Sequence, residues 1–96
     1  MSGQIRITHG EMRGRAGEVR QQRDTFEDVI NRMQGLIDAL QGEWEGQASA
    51  AYAEQWANLR PSFNQAKEVM GDLAQQLDGT AAAMEDMDQQ IASKFR

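Results

Sequence analysis

Gly42-Glu43-Trp44-Glu45-Gly46 lies near the middle of the chain and separates two long stretches of heptad-spaced apolar residues. Glycine at both ends of so short a segment marks a reversal of direction. A bend needs only Gly, Asn or Asp, and an exposed indole is costly, so Trp44 implies a task beyond turning the chain. Upstream, positions 12, 16, 19, 23, 26, 30, 33, 37 and 40 hold Met, Ala, Val, Arg, Phe, Ile, Met, Ile and Leu. This 4–3 spacing is that of one face of an α-helix, and strand alternation fits nowhere. Arg23 is the exception, and Val29 and Leu36 widen the stripe on one flank. Downstream, positions 52, 56, 59, 63, 66, 70, 73, 77, 80, 84, 87 and 91 hold Tyr, Trp, Leu, Phe, Ala, Met, Leu, Leu, Thr, Met, Met and Ile, with Thr80 the weak point.

These signals predict an all-α chain: an N-terminal arm over 1–8, helix 1 over 9–41, a turn over 42–47, helix 2 over 48–80 and a C-terminal tail over 81–96, helical or disordered. Thr8-His9-Gly10-Glu11 reads as a capping box, with Thr8 as N-cap and Glu11 reaching back. Gly42 is placed as the left-handed residue that ends helix 1. Pro61 interrupts one backbone hydrogen bond, and the unbroken heptad phase across it favours a bend over a break. Asp78-Gly79-Thr80 is a point where the helix can fray. A reversal centred on residue 44 brings Leu40 near Ser49 and Met12 near Leu77. Residues 81–96 then overhang while keeping the pattern Met84, Met87, Ile91 and Phe95. Either that seam awaits another molecule, or Ile5 and Ile7 fold back over Met84.

Two helices alone leave much of each seam wet. Phe26, Ile30, Met33, Ile37, Leu40, Trp56, Leu59, Phe63, Met70, Leu73 and Leu77 are the expected core, and the larger of them call for a second layer. The simplest solution is a two-helix antiparallel hairpin that dimerises into a four-helix bundle, with itself or a related hairpin as partner.

Composition limits the function. The 96 residues make one domain, with no Cys, one Pro, one His and a net charge of −5 at a pI near 4.7. An acidic chain argues against nucleic acid as partner. The start of the chain lacks an apolar signal region, and no run is long and apolar enough to span a bilayer. Residues 1–23 carry five Arg against two acids, and residues 24–43 one Arg against five acids, a pattern read as solvated helix surface. His9 has no second His or Cys for a metal, Ser2, Ser49, Ser62 and Ser93 have no neighbouring base, and Glu85 with Asp88 is ordinary surface charge. Gly10, Gly14 and Gly17 have no phosphate-loop context. Neither an enzyme nor a cofactor is expected. Anionic bilayers repel the acidic polar faces, so packing explains the apolar stripe better than membrane binding does.

Length, heptad blocks and the central Trp44-Glu45-Gly46 together resemble the WXG100 family of early-secretory-antigen-like proteins, over essentially the whole chain. The resemblance implies a helical hairpin that pairs into a four-helix bundle and leaves the cell through a type VII (ESX/Ess) secretion system. Many family members carry a tail pattern of hydrophobic, three residues, Asp or Glu, two residues, hydrophobic, three residues, hydrophobic. Met84, Asp88, Ile91 and Phe95 fit it. The tyrosine of the form found in some mycobacterial partners is missing, which favours the homodimeric type. The resemblance further implies a membrane-bound FtsK/SpoIIIE-type ATPase as partner. Met84, Ile91 and Phe95 are then anchors, Asp88 sets register, and Trp44 either caps the bundle end or forms part of the export signal. An escort of a larger co-secreted effector or toxin is the alternative role. The expected location is extracellular or cell-surface by a Sec-independent route without a cleaved signal peptide, and cytoplasmic before export.

Overall fold

The computed structural model describes residues 7–44 and 46–94. Two helices account for nearly all of them: α1, His9–Glu43, and α2, Gln47–Lys94. They form a helical hairpin. Among the described residues there is no strand.

The ends of the helices follow from local chemistry. The Glu11 amide donates to the Thr8 hydroxyl at 3.1 Å and the Met12 amide to the Thr8 carbonyl at 2.9 Å, so Thr8 caps α1 as expected. The other end differs from expectation. Gly42 is helical, and α1 runs on to Glu43, with the Trp44 amide still bonded to the Leu40 carbonyl at 2.8 Å. The glycine that turns the chain is Gly46, at φ 147°, whose carbonyl accepts the Ala50 amide and opens α2. A helix tolerates an interior glycine at about 1 kcal/mol, whereas the reversal needs a conformation that L side chains avoid. α2 also passes through both suspected weak points. It continues across Pro61 and through Asp78-Gly79-Thr80, where the Thr80 hydroxyl bonds the Gln76 carbonyl one turn back.

The chain forms two compact units. The first, Gln22–Val69, contains the bend. Ile30 and Trp56 are buried there, together with Ser49. Phe26 meets Phe63 edge-on with ring centroids 5.8 Å apart, and the Trp56 ring lies tilted to Phe63 with centroids 5.6 Å apart. Lys67 reaches Glu27 at 3.6 Å. The second unit comprises the described residues of Met1–Gln21 and Met70–Arg96. Its fully buried side chains are small: Ala16, Ala74 and Ala81. Arg20 pairs with Asp78, and Arg13 donates to Glu85 at 2.9 Å, with His9 Nδ1 3.5 Å from the same carboxylate.

Those ion pairs correct the expected overhang. The start of α1 lies beside residues 84–88 of α2, beyond residue 80, where the expected overhang begins. Ile7 shares a cleft with Met84, which is the fold-back alternative at the position described; Ile5 lies outside the described residues. Long Arg, Glu and Asp side chains reach along the helices in this unit, so the bonded partners lie further toward the C-terminus than expected.

The core residues read from the seam divide three ways. Ile30 and Trp56 are buried, Phe26, Met33, Ile37, Phe63, Met70 and Leu77 are half-buried, and Leu40, Leu59 and Leu73 are exposed in the single chain. On α2 the hairpin interior uses residues 49, 53, 60, 67, 74 and 81 where the seam had offered 52, 59, 66, 73, 80 and 87.

Two predictions follow from these geometries. Gly42→Ala raises helix propensity where a Cβ meets open space, and stabilises by about 0.5–1 kcal/mol. Gly46→Ala forces a side chain into a disfavoured φ and destabilises by about 1–3 kcal/mol. Chemical denaturation of the two variants is expected to give opposite signs. Separately, the Arg13 hydrogen bond, then the Arg13 charge, holds the Glu85 carboxyl below its ordinary range. A folded-state value below the unfolded one means stability that is complete above the unfolded value of about 4.3 and lost as pH falls through the lower folded value. The thermal midpoints of wild type and Glu85→Gln are therefore expected to differ near neutrality and to converge in acid.

Candidate functional site: two docking surfaces

The apolar residues displaced from the hairpin interior make its most distinctive surface. On α2, positions 52, 55, 59, 62, 66, 69, 73, 76, 80, 83, 87 and 90 are all exposed, and none of the twelve is charged. They include Tyr52, Leu59, Val69 at 59% exposure, Leu73 and Met87 at 60%. On α1, Val29, Leu36 at 60% exposure and Leu40 are likewise open. Charge falls elsewhere: α1 places Arg13, Arg20, Glu27 and Gln34 one heptad apart beside the seam, and each bonds a polar residue of α2.

In the bend unit this surface deepens into a cleft of about 320 Å³ lined by Met33, Ile37, Leu40, Tyr52, Gln55, Trp56 and Leu59. Gln55 is its one amide; the rest are apolar or aromatic. The back wall is Trp56, whose indole N–H donates to Gln34 Oε1 at 2.9 Å. Arg60 donates to the same oxygen at 2.7 Å. At the tip, Trp44 is 46% exposed, with its ring 6.1 Å from that of Tyr52. Trp44 is therefore not sealed inside the single hairpin. Gly46 sits beside it as the turning residue, and Glu45 lies outside the described residues.

In the other unit, a second cleft of about 350 Å³ is lined by Ile7, Thr8, His9, Met84, Met87 and Asp88. Of the tail residues predicted to act together, Met84 is half-buried and Asp88 and Ile91 are exposed, all on α2. Phe95 lies outside the described residues. Met84 and Asp88 meet at this cleft, with Ile91 one turn further along α2.

Sequence reasoning missed Gln34 and Arg60, which hold the cleft wall, and Ala74 and Ala81, which let the helices approach. A signal was present: long polar residues recur every seventh position, at 13, 20, 27 and 34, just beside the apolar seam. Among the described residues no group of three or more His, Cys, Asp or Glu is gathered for a metal, and no helix is long and apolar enough to cross a membrane.

The model of the WXG100 family, described as proteins of 100 residues with WXG, matches residues 4–89. Protein YukE of Bacillus subtilis is 36% identical over 96 residues, covering 100% of this chain and 99% of its own length. The type VII secretion system extracellular protein A of Staphylococcus aureus is 26% identical over 91 residues, covering 95% and 94%. Among solved structures, EsxA of Geobacillus thermodenitrificans superposes with a TM-score of 0.86 at 39% identity, covering 96% of this chain and 99% of that one. A secreted protein EsxB of Bacillus anthracis has the same fold, with a TM-score of 0.80 at 23% identity over 90% of this chain and 98% of that one. A hairpin of two heptad helices turned at Trp44-Glu45-Gly46, matched by that family's model along nearly its full length, belongs to the WXG100 family.

Proposed function

We propose that the chain is a small non-enzymatic protein exported by a type VII secretion system as a folded homodimer, a four-helix bundle made of two hairpins. The observation that carries the pairing is the uncharged, exposed stripe of α2 with Leu36, Val29 and Leu40 beside it. The buried centre of a protein interface is depleted in charge and rich in large apolar side chains, as this stripe is. A second copy presents the same stripe under two-fold symmetry, and no like charges are brought together. The Staphylococcus aureus relative, a type VII secretion system extracellular protein, supports the export reading.

Recognition, on this reading, is by docking. α2 offers Met84 and Ile91 as apolar anchors and Asp88 as a charged register point for a groove on an FtsK/SpoIIIE-type ATPase, and Phe95 is the third anchor of the tail pattern in the sequence. Trp44 stays available at the bend because its ring is half exposed. Before export the protein is cytoplasmic; its destination is the cell surface or the medium. The exposed stripe serves equally for pairing with a related WXG100 chain. An escort role for a larger effector differs in one readout, a long protein that co-purifies with this one from its native cell.

Three experiments test the proposal. Sedimentation equilibrium is expected to give twice the chain mass. In denaturation, Leu36→Ala is expected to cost about 2–5 kcal/mol, as at a buried site, with a concentration-dependent midpoint. A monomer in which this change stays within about 0.5 kcal/mol, as at a free surface, contradicts the pairing. In a cell with the secretion system, Trp44→Ala, Phe95→Ala and truncation after Asp88 are expected to leave folded protein inside. The truncation retains the Arg13–Glu85 pair. Normal export of all three contradicts the signal.

A further inference from the structure

One polar residue stands behind the apolar cleft. Gln34 Oε1 accepts two hydrogen bonds from α2, from the Trp56 indole at 2.9 Å and from Arg60 at 2.7 Å. Its amide N–H donates to Asp38 at 3.0 Å. Both lone pairs of the oxygen are thus engaged. The amide thus bridges the Arg60 guanidinium, from which it accepts, and the Asp38 carboxylate, to which it donates.

Trp56 depends on this node. The side chain is 5% exposed, so its N–H has little access to water and needs a protein acceptor. The ring lies tilted against Phe63, and the indole nitrogen is held by Gln34. Together they aim the ring into the cleft beside Met33, Ile37 and Leu59. Loss of the acceptor leaves a buried donor unpaired, and the ring's cheapest relief is to swing toward solvent, through the cleft.

We infer that Gln34 is the positioning residue of the docking surface: by holding the Trp56 ring in the cleft wall, it sets the shape that a second copy of this chain must match. This inference rests on the dimer proposed above. It adds that the shape of the pairing surface is set by a residue that need not touch the partner. An amide suits the position because it accepts from Trp56 and donates to Asp38 at once. A carboxylate keeps the acceptor and gains a direct ion pair with Arg60, so Gln34→Glu, made in an Asp38→Asn background so that no two carboxylates face each other, is the conservative replacement. Gln34→Leu keeps the size and removes the acceptor.

The test combines two readouts on wild type, Q34L, and Q34E in the D38N background. Hydrogen exchange at the two indole N–H groups, assigned with a Trp44→Phe sample, reads the node directly. Sedimentation equilibrium reads the dimer constant. Wild type is expected to show one slow indole, that of Trp56. Q34L is expected to lose that protection and to dimerise more weakly, on the order of tenfold, at unchanged helix content. Q34E is expected to keep both within about twofold of wild type. A wild-type dimer whose constant Q34L leaves unchanged overturns the role of Gln34 and leaves the dimer standing. A wild-type monomer with a protected Trp56 overturns the dimer reading itself, and with it the role. Should Q34L lose its helices, Q34E decides: a dimer weakened about tenfold despite the retained acceptor overturns the inference.

Discussion

Two helices in a hairpin face each other along one stripe apiece, and the width of the side chains on that stripe decides what is left outside. In the unit of the chain ends, the fully buried residues are Ala16, Ala74 and Ala81, with Met12, Val19, Met70, Leu77 and Met84 half-buried. Small residues bring the backbones close and leave little room between them. Leu73 and Met87 then have no place in the single-chain interior. In the bend unit Ile30 and Trp56 take the inner positions, and Leu36, Leu40, Tyr52 and Leu59 are left open. The large apolar surface follows directly from this choice of inner residues. A monomer that exposes so many large side chains on one face presents a binding surface.

Polar chemistry is sorted in the complementary way. Arg13–Glu85 and Arg20–Asp78 in one unit, and Glu27–Lys67 and Gln34–Arg60 in the other, lie beside the inner contact of each. Individually such partly exposed pairs add little stability, about 0–1 kcal/mol. Their value is in alignment: each matches one residue of α1 to one of α2 and penalises a slip along the helices. The outer stripe of α2 carries no charge at all. Register within the hairpin is thus read by charge, and the proposed pairing between hairpins is read by shape.

Much of this was legible in the sequence. Heptad spacing gave both helices, Thr8 with Glu11 gave the start of α1, and Gly42 to Gly46 located the reversal. The seam misled in an instructive way. It runs through the largest apolar residues, and on α2 half of those ten, at 52, 59, 73, 87 and 91, are exposed. Periodicity finds the most apolar face of a helix; it does not say which molecule covers it. The inner positions on the neighbouring rows hold Ser49, Arg60, Lys67, Ala74 and Ala81, too small or too polar to score. The choice between Gly42 and Gly46 as turning residue depends on backbone angles that neither neighbour encodes. The polar node at Gln34 needs both helices in place before Trp56 and Arg60 converge on one oxygen. Of the candidate site, Trp44, Met84, Asp88 and Ile91 came from motif spacing, while the cleft walls came only from the fold.

The most direct measurement of the central claim is an isotope-filtered NOE experiment on a sample in which labelled and unlabelled copies are mixed. Methyl groups of Leu36, Leu59 and Leu73 are predicted to show contacts between copies and to be shielded from a soluble paramagnetic agent. Methyls that show no such contact at concentrations well above those of a working dimer, and that relax freely with the agent, would contradict it.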